Sequence, residues 1–171
     1  MTEHTDRMDG GPETAPTVRA VLRQPSTAAG GPISHAIFRV ARLHRMLAGS
    51  LLRNTGLYPG QELVMMHLWD QGEQRQVDLV KVLDSDAATM TRTIQRLERA
   101  GFVRRRPDPT DARASLIEPT PASMHLRTEL NEIWQQLERL TVGPFDPTHQ
   151  EAALASLEEL EHNLAIATAE R

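Results

Sequence analysis

The sequence predicts a mainly α-helical protein with one small β-hairpin, organised as a winged helix–turn–helix flanked by N-terminal and C-terminal dimerisation helices. After residue 32, apolar residues recur every three or four positions through most of the chain, which is typical of amphipathic helices. Residues 102–117 instead alternate on either side of a turn, as a β-hairpin does. The two helical segments before the hairpin are joined by a tight turn. Helix, turn, helix and hairpin in this order predict a winged helix–turn–helix, an arrangement whose second helix enters the major groove of DNA.

The composition excludes several classes of function. The chain has 171 residues, of which 39% are hydrophobic and 25% are charged, as in ordinary globular proteins. It contains no cysteine, which excludes disulfides, thiol chemistry and cysteine-ligated metal sites. No apolar run approaches the ~20 residues that span a bilayer, and the first residues lack the apolar core of a signal peptide. We therefore expect a cytoplasmic protein, and no feature of the sequence calls for a cofactor.

The charges are distributed unevenly along the chain. The formal net charge is −4, yet residues 87–106 hold six arginines and one acidic residue. Residues 129–171 hold nine acidic residues and two arginines. This asymmetry indicates that the first region meets an anion, whereas the second meets water or protein.

The N-terminal part of the chain divides into a tail and a helix. Residues 1–32 are rich in glycine, proline and threonine and are predicted to form a flexible tail. Residues 33–56 are predicted to form an N-terminal dimerisation helix that ends at the Asn-Thr-Gly sequence 54–56.

Residues 57–120 are predicted to form the winged helix–turn–helix domain. Residues 84–86 offer N-caps for its last helix, and Gly101 is placed to close that helix. Pro119 cannot donate a ladder hydrogen bond, so we expect the second strand to end early. The predicted elements are a helix that follows Pro59 and stops at 71–72, helices over about 76–83 and 87–100, and strands over 102–104 and 115–117.

Residues 121–171 are predicted to form C-terminal dimerisation helices, one over about 121–140 and one entered after Pro147. Their leucine stripes offer more apolar surface than packing against a small winged-helix domain would bury. The surplus predicts that they pack against a second copy of the chain in a homodimer. The residues predicted for the dimer interface are Ile37, Leu130, Ile133, Leu137, Leu157, Leu160 and Leu164.

The helix over 87–100 has the character of a DNA-reading helix. At about 100° per residue, an apolar face of Ala87, Met90, Ile94 and Leu97 lies opposite a polar and cationic face. Arginine, glutamine and threonine on that face can bond base edges and phosphates. An ordinary solvated helix face is the alternative interpretation, and the hairpin that follows favours DNA.

Residues 89–114, TMTRTIQRLERAGFVRRRPDPTDARA, resemble the MarR family of winged-helix regulators. The matching motifs are a Thr-x-Thr-Arg recognition helix, a Leu-Glu-x-x-Gly-hydrophobic-Val helix end, a basic strand and an Asp-Pro-x-Asp-x-Arg wing. The sequence departs from the family at Ala88, where serine is usual, and at 119–123, where the family has Leu-Thr-x-x-Gly. The resemblance covers the chain from about residue 33 onwards.

The resemblance implies a homodimeric DNA-binding regulator, usually a repressor, on a pseudo-palindromic site. Its wing arginine, Arg113, would enter the minor groove, with Asp111 placed to aim that side chain. The family also implies that a small aromatic or anionic effector can bind between the dimer helices and the winged domain. The residues predicted to contact DNA are Thr89, Thr91, Arg92, Gln95, Arg96, Arg104, Arg105, Arg106, Asp111 and Arg113.

Two other functions remain open at the level of the sequence. A winged helix can serve protein–protein contact, and histidines such as His35 and His44 leave room for a metal-responsive regulator. These two histidines are nine residues apart and so lack the spacing of a helical metal site, and no metal site is predicted. An enzyme is disfavoured, because the sequence shows no nucleophile–base arrangement, phosphate-binding loop or paired carboxylates with supporting context.

Overall fold

A computed structural model of the protein describes residues 25–111 and 114–170. The chain divides into two compact units, Met1–Leu43 and His44–Arg171. Of the predicted tail, residues 1–24 lie outside the described residues. Ser26–Ala28 forms a short 3-10 turn.

The described residues form six α-helices and three short strands, besides loops and three short 3-10 turns. The predicted helices are all present, and most of their ends lie within three residues of expectation. The first helix is the exception, because it ends at Leu51 and a 3-10 turn, Leu52–Asn54, continues towards the predicted end at 54–56. In chain order the elements are α1 (Pro32–Leu51), α2 (Gln61–Gln71), β1 (Gln74–Arg75), α3 (Gln76–Val82), α4 (Ala87–Arg99), β2 (Val103–Pro107), β3 (Ser115–Pro119), α5 (Met124–Val142) and α6 (Pro147–Ala169).

The hairpin is part of a three-stranded antiparallel sheet with the strand order β1-β3-β2. The edge strand β1 pairs Gln74 with Ile117 and Arg75 with Leu116. The sequence prediction missed β1, because two residues are too few to show an alternating pattern.

The expectation that Pro119 ends the second strand early is wrong, since β3 includes Pro119 and pairs it with Val103. The amide of Thr120 donates to the carbonyl of Phe102, 3.0 Å away, which makes Val103 and Pro119 a pair without mutual hydrogen bonds. Proline fits there because the ladder needs no donor at that position. Pro107, opposite Ser115, occupies the same kind of position.

The core of the second unit is formed by residues of α2, α3, α4, α5, β2 and β3, together with two leucines that precede α2. Trp69 on α2 is fixed beside it by a bond from its indole nitrogen to Ser123 Oγ, 3.1 Å away. The α4 helix contributes Met90, Ile94 and Leu97 to this core, so its apolar face is buried and its opposite face is exposed. The buried residues of the cluster are Leu52, Leu57, Val64, Met65, Leu68, Leu79, Met90, Ile94, Leu97, Val103, Ile117 and Leu130.

Two of the residues predicted for the dimer interface are enclosed within the subunit. Leu130 and Leu137 on α5 are 2% and 3% exposed, so their side chains are not available to a partner. The periodicity of α5 correctly marked a buried stripe, but the stripe packs inside the chain. Ile133 is half-buried against the same core.

The remaining predicted interface residues are accessible. Leu157 and Leu164 on α6 are each 59% exposed, and Leu160 is half-buried. Every residue of α6 is exposed or half-buried. In the first unit, Ile37 is 37% exposed.

Candidate nucleic-acid interface

Local capping fixes both ends of α4. Asp86 is the N-cap and accepts a hydrogen bond from the amide of Thr89, 2.7 Å away. Bonding to Thr89, through its side chain and then its backbone, lowers the pKa of Asp86, so the carboxylate stays charged at the positive end of the helix. At the other end, Gly101 follows the C-cap in the left-handed region with φ +77°. The α4 helix therefore presents a defined surface.

The two faces of α4 differ as the sequence predicted, except at one residue. Met90, Ile94 and Leu97 are buried, whereas Ala87, assigned to the same face, is exposed. Ala87 lies in the first turn, beyond the edge of the core. The exposed residues of α4 include Thr89, Arg92, Gln95, Arg96 and Arg99.

The two threonines predicted to contact DNA differ in accessibility. The hydroxyl of Thr91 donates to the carbonyl of Ala87 at 2.7 Å and accepts from Gln76 Nε2 at 2.8 Å. Its side chain is thus engaged within the protein. Thr89 is exposed, and its hydroxyl accepts from Arg92 at 3.1 Å.

Arg96 lies against a residue that the sequence prediction missed. Its guanidinium carbon is 5.9 Å from the ring centroid of the exposed Tyr58, at the range of a cation–π interaction. The residues are 38 positions apart, and no local pattern signals such a pair. Tyr58 therefore holds Arg96 on the outer side of α4.

Each of the three consecutive arginines of β2 is paired with a carboxylate. Arg104 and Arg106, which alternation places on one side of the strand, both meet Glu118 of β3. Arg106 is also bound by both carboxylate oxygens of Glu73. Arg105 lies 3.4 Å from Glu98 at the end of α4. The basic strand is thus largely neutralised within the protein.

The turn after β2 is built around a sheltered carboxylate. The side chain of Asp108 is 4% exposed. Its Oδ1 accepts from the amide and the hydroxyl of Thr110 at 2.8 and 2.7 Å, and its Oδ2 accepts from Arg75 Nε at 2.6 Å. These bonds, those of Thr110 first and that of Arg75 next, lower the pKa of Asp108 to about 2.

The tip of the wing is described in part. The carbonyl of Asp111 accepts from the amide of Ala114 at 2.9 Å, which closes the turn, and Asp111 is exposed. Arg113 lies outside the described residues, so the predicted aiming of Arg113 by Asp111 stays a prediction.

An apolar pocket of about 180 Å³ lies in the second unit, between the C-terminal part of α1, the start of α2 and α5. Three ionisable side chains, His44, Arg45 and Glu62, share it with apolar ones. Glu62 is buried and accepts from the amide of Gly60 at 2.7 Å, and burial raises its pKa. The remaining lining residues are Ala48, Leu52, Pro59, Gly60, Leu63, Ile133, Trp134 and Leu137.

The residues that the structure describes hold no cluster of three or more side chains suited to a metal ion. Among the same residues, no helix has the length and apolarity to cross a membrane.

A helix–turn–helix followed by a β-hairpin, with the second helix exposing arginines, glutamine and threonine, defines a winged helix–turn–helix protein of the DNA-binding class. The comparison with known proteins agrees. The model of the MarR family matches residues 57–115. An uncharacterised HTH-type transcriptional regulator of Bacillus subtilis, YwoH, is 33% identical over 118 residues, which are 69% of this chain and 85% of YwoH. The chain therefore belongs to the MarR family of transcriptional regulators, and not to a family of enzymes.

Solved structures of the family share the fold. A probable transcriptional regulator from Pseudomonas aeruginosa has a TM-score of 0.71 at 25% identity and covers 77% of this chain and 98% of its own. BpsR of Bordetella bronchiseptica, in a structure concerned with regulation of its DNA binding by 6-hydroxynicotinic acid, has a TM-score of 0.71 at 26% identity and covers 78% and 95%. A mutant MarR from E. coli, complexed with operator DNA, has a TM-score of 0.72 at 22% identity and covers 82% and 99%.

Proposed function

We propose that the protein is a homodimeric repressor that binds a pseudo-palindromic operator and acts in the cytoplasm. The observation that carries the proposal is the division of α4 into a buried apolar face and an exposed face with Arg92, Gln95 and Arg96. Such a face can donate paired hydrogen bonds to guanine or adenine and single bonds to phosphates. A protein that uses a winged helix for protein contact alone has no need of this set of donors.

The proposed dimer rests on α6. Leu157 and Leu164 lie on one side of a helix that has no core of its own to cover. Exposed leucines in a row, rimmed by glutamates, fit a second copy of the chain, because a two-fold axis lets identical stripes meet. Two α4 helices related by that axis would reach major grooves about one helical turn apart.

The proposed effector is a small aromatic acid in the apolar pocket between α1, α2 and α5. The indole of Trp134 and the leucines offer a surface for a ring, and Arg45 and His44 offer positive charge for an acidic group. Regulation of BpsR by 6-hydroxynicotinic acid supports an effector of this chemistry. In this proposal the DNA-bound protein represses transcription by covering a promoter, and binding of the effector releases the protein from the DNA.

Selection of duplexes from a randomised library by the purified protein tests the proposed function. We expect the enriched sequences to contain an inverted repeat with half-sites about one turn of DNA apart. A library that stays random after repeated rounds would contradict sequence-specific binding and favour the protein–protein alternative. An enriched sequence without symmetry would contradict the dimer.

A screen of aromatic carboxylic acids, scored by loss of binding to the enriched duplex, tests the effector. A compound that releases wild-type protein is expected to fail on Arg45→Gln, which keeps a polar side chain but loses the charge. Equal release of both proteins would place the effector elsewhere.

A further inference from the structure

We propose that Arg75 and Gln76 are positioning residues for DNA recognition: these consecutive side chains tie the wing turn and the α4 helix to one point of the fold, and thereby hold the two DNA-reading elements at a fixed spacing before DNA arrives. The proposal rests on the proposed DNA-binding function. It concerns two residues that reach DNA only through their partners.

Arg75 holds the wing turn. Its Nε donates to Asp108 Oδ2 at 2.6 Å, and its terminal nitrogen donates to the hydroxyl of Thr110 at 3.0 Å. Thr110 in turn bonds the other oxygen of Asp108 through both its amide and its hydroxyl. Because the Asp108 carboxylate is nearly enclosed, it needs these partners, and the turn has its lowest energy when all are in place.

Gln76 holds the recognition helix. Its Nε2 donates to the hydroxyl of Thr91 at 2.8 Å, and that hydroxyl donates to the carbonyl of Ala87 at 2.7 Å. Gln76 and Thr91 are both half-buried, so water competes less for these bonds than at an open surface. The amide of Gln76 therefore fixes α3 against the first turn of α4.

The backbone explains why neighbouring residues reach different elements. Arg75 is extended, with φ −68° and ψ 144°, and ends the strand β1 that pairs with β3. Gln76 is the first residue of α3. At such a strand-to-helix junction successive side chains diverge, so one reaches the wing and the other reaches α4.

The consequence is preorganisation. A wing turn and a helix that are ordered before DNA binds lose less conformational freedom on binding than ones that become ordered only in the complex. Loss of the Arg75 bonds is expected to weaken binding roughly tenfold, which corresponds to ordering one loop at the moment of binding. The number of phosphate contacts is expected to stay the same.

The test compares Arg75→Ala and Gln76→Ala with wild type in two measurements. The first is the affinity for the duplex enriched by selection, titrated over a range of salt concentrations. The second is amide hydrogen exchange of the DNA-free protein. The matched control is Arg127→Ala, which removes the same charge from an exposed pair with Asp70, 2.8 Å long, on other helices.

For Arg75→Ala we expect roughly tenfold weaker binding, an unchanged slope of log K against log salt, and faster exchange at Thr110. Gln76→Ala is expected to speed exchange in the first turn of α4. Arg127→Ala is expected to match wild type throughout. In the Asp108→Asn variant, the additional change Arg75→Ala is expected to cause no further loss of affinity for the duplex, because Arg75 acts through the carboxylate of Asp108.

Two results would overturn the proposal. A salt slope reduced by about 0.9 in Arg75→Ala would show that Arg75 itself neutralises a phosphate. Unchanged exchange at Thr110 would show that the wing is positioned without Arg75. If Arg75→Ala does not fold, Arg75→Lys replaces it in both measurements. Lysine keeps the charge but cannot make the two bonds of the guanidinium to Asp108 and Thr110, so the same changes in affinity and exchange are expected. Because exchange is measured without DNA, the positioning role is decided even if wild-type protein shows no sequence preference.

Discussion

At the scale of single residues, acidic side chains organise the arginines of the DNA-binding region. Glu73 and Glu118 hold arginines of β2, and Asp108 holds Arg75. These three acidic residues are thus structural partners of the arginines. Exposed ion pairs contribute little stability each, so their main effect is to fix where the guanidinium groups point.

The low pKa of Asp108 predicts an acid-dependent loss of stability. The folded-state pKa of about 2 lies below 3.8, the ordinary value of an aspartate, so the ionised group stabilises the fold above pH 3.8 and loses this effect as the pH falls towards 2. We expect Asp108→Asn to lower the free energy of unfolding at pH 7, and the gap from wild type to close between about pH 4 and pH 2. Urea titrations at several pH values measure this. A gap that is constant over that range would contradict the assigned pKa.

Arg113 carries a second prediction at this scale. The resemblance to the family predicts that Arg113 enters the minor groove, so Arg113→Ala is expected to weaken binding to the enriched duplex by roughly tenfold or more. The melting temperature of the Arg113→Ala protein is expected to match that of wild type. Unchanged affinity in a titration by fluorescence anisotropy would mean that the wing does not reach DNA.

At the scale of elements, local signals were readable from the sequence and pairings over long distances were not. The ends of α4 were predicted because Asp86 and Gly101 act within one turn of the helix. The edge strand β1 was missed because its two residues show no alternating pattern. The strand β3 was predicted to end too early because the pairing with β2, which leaves Pro119 without a ladder hydrogen bond, joins residues distant in sequence. The bond between Arg75 and Asp108 spans 33 positions and carries no sequence signal.

Gly101 gives a prediction for the junction between α4 and the sheet. Its φ of +77° is in the left-handed region, but among the described residues no heavy atom beyond its chain neighbours comes within 4 Å of an added Cβ. Gly101→Ala is therefore expected to cost about 1 kcal/mol from backbone strain alone. Gly101→Asn is expected to cost less, because asparagine tolerates this conformation. Equal stability of all three proteins in urea would contradict the strain.

At the scale of the whole molecule, the sequence shows where the leucine stripes are. It does not show which stripe is buried within the subunit and which is exposed to solvent. The α5 stripe of Leu130 and Leu137 is buried inside the subunit, whereas Leu157 and Leu164 on α6 are exposed. Periodicity shows that a helix has an apolar face and does not show what covers it. The proposed dimer therefore depends on α6 more than on α5.

The dimer is tested by Leu157→Asp combined with Leu164→Asp. We expect this variant to stay folded, because neither side chain belongs to the core, and to become monomeric in sedimentation equilibrium. Ala155→Asp combined with His162→Asp places two charges on roughly the opposite side of α6 and serves as the control. A leucine variant that sediments as a dimer would move the interface away from α6.

The central claim, that the exposed face of α4 reads DNA, is tested most directly by one titration. The protein is titrated against the duplex enriched by selection and against a scrambled duplex of the same composition, at several salt concentrations, as wild type and as Arg92→Ala with Arg96→Ala. We expect wild type to prefer the enriched duplex and to bind more weakly as salt rises, and the variant to lose the preference with a smaller salt slope. Equal binding of both duplexes by wild type, or a preference that survives in the variant, would contradict the claim.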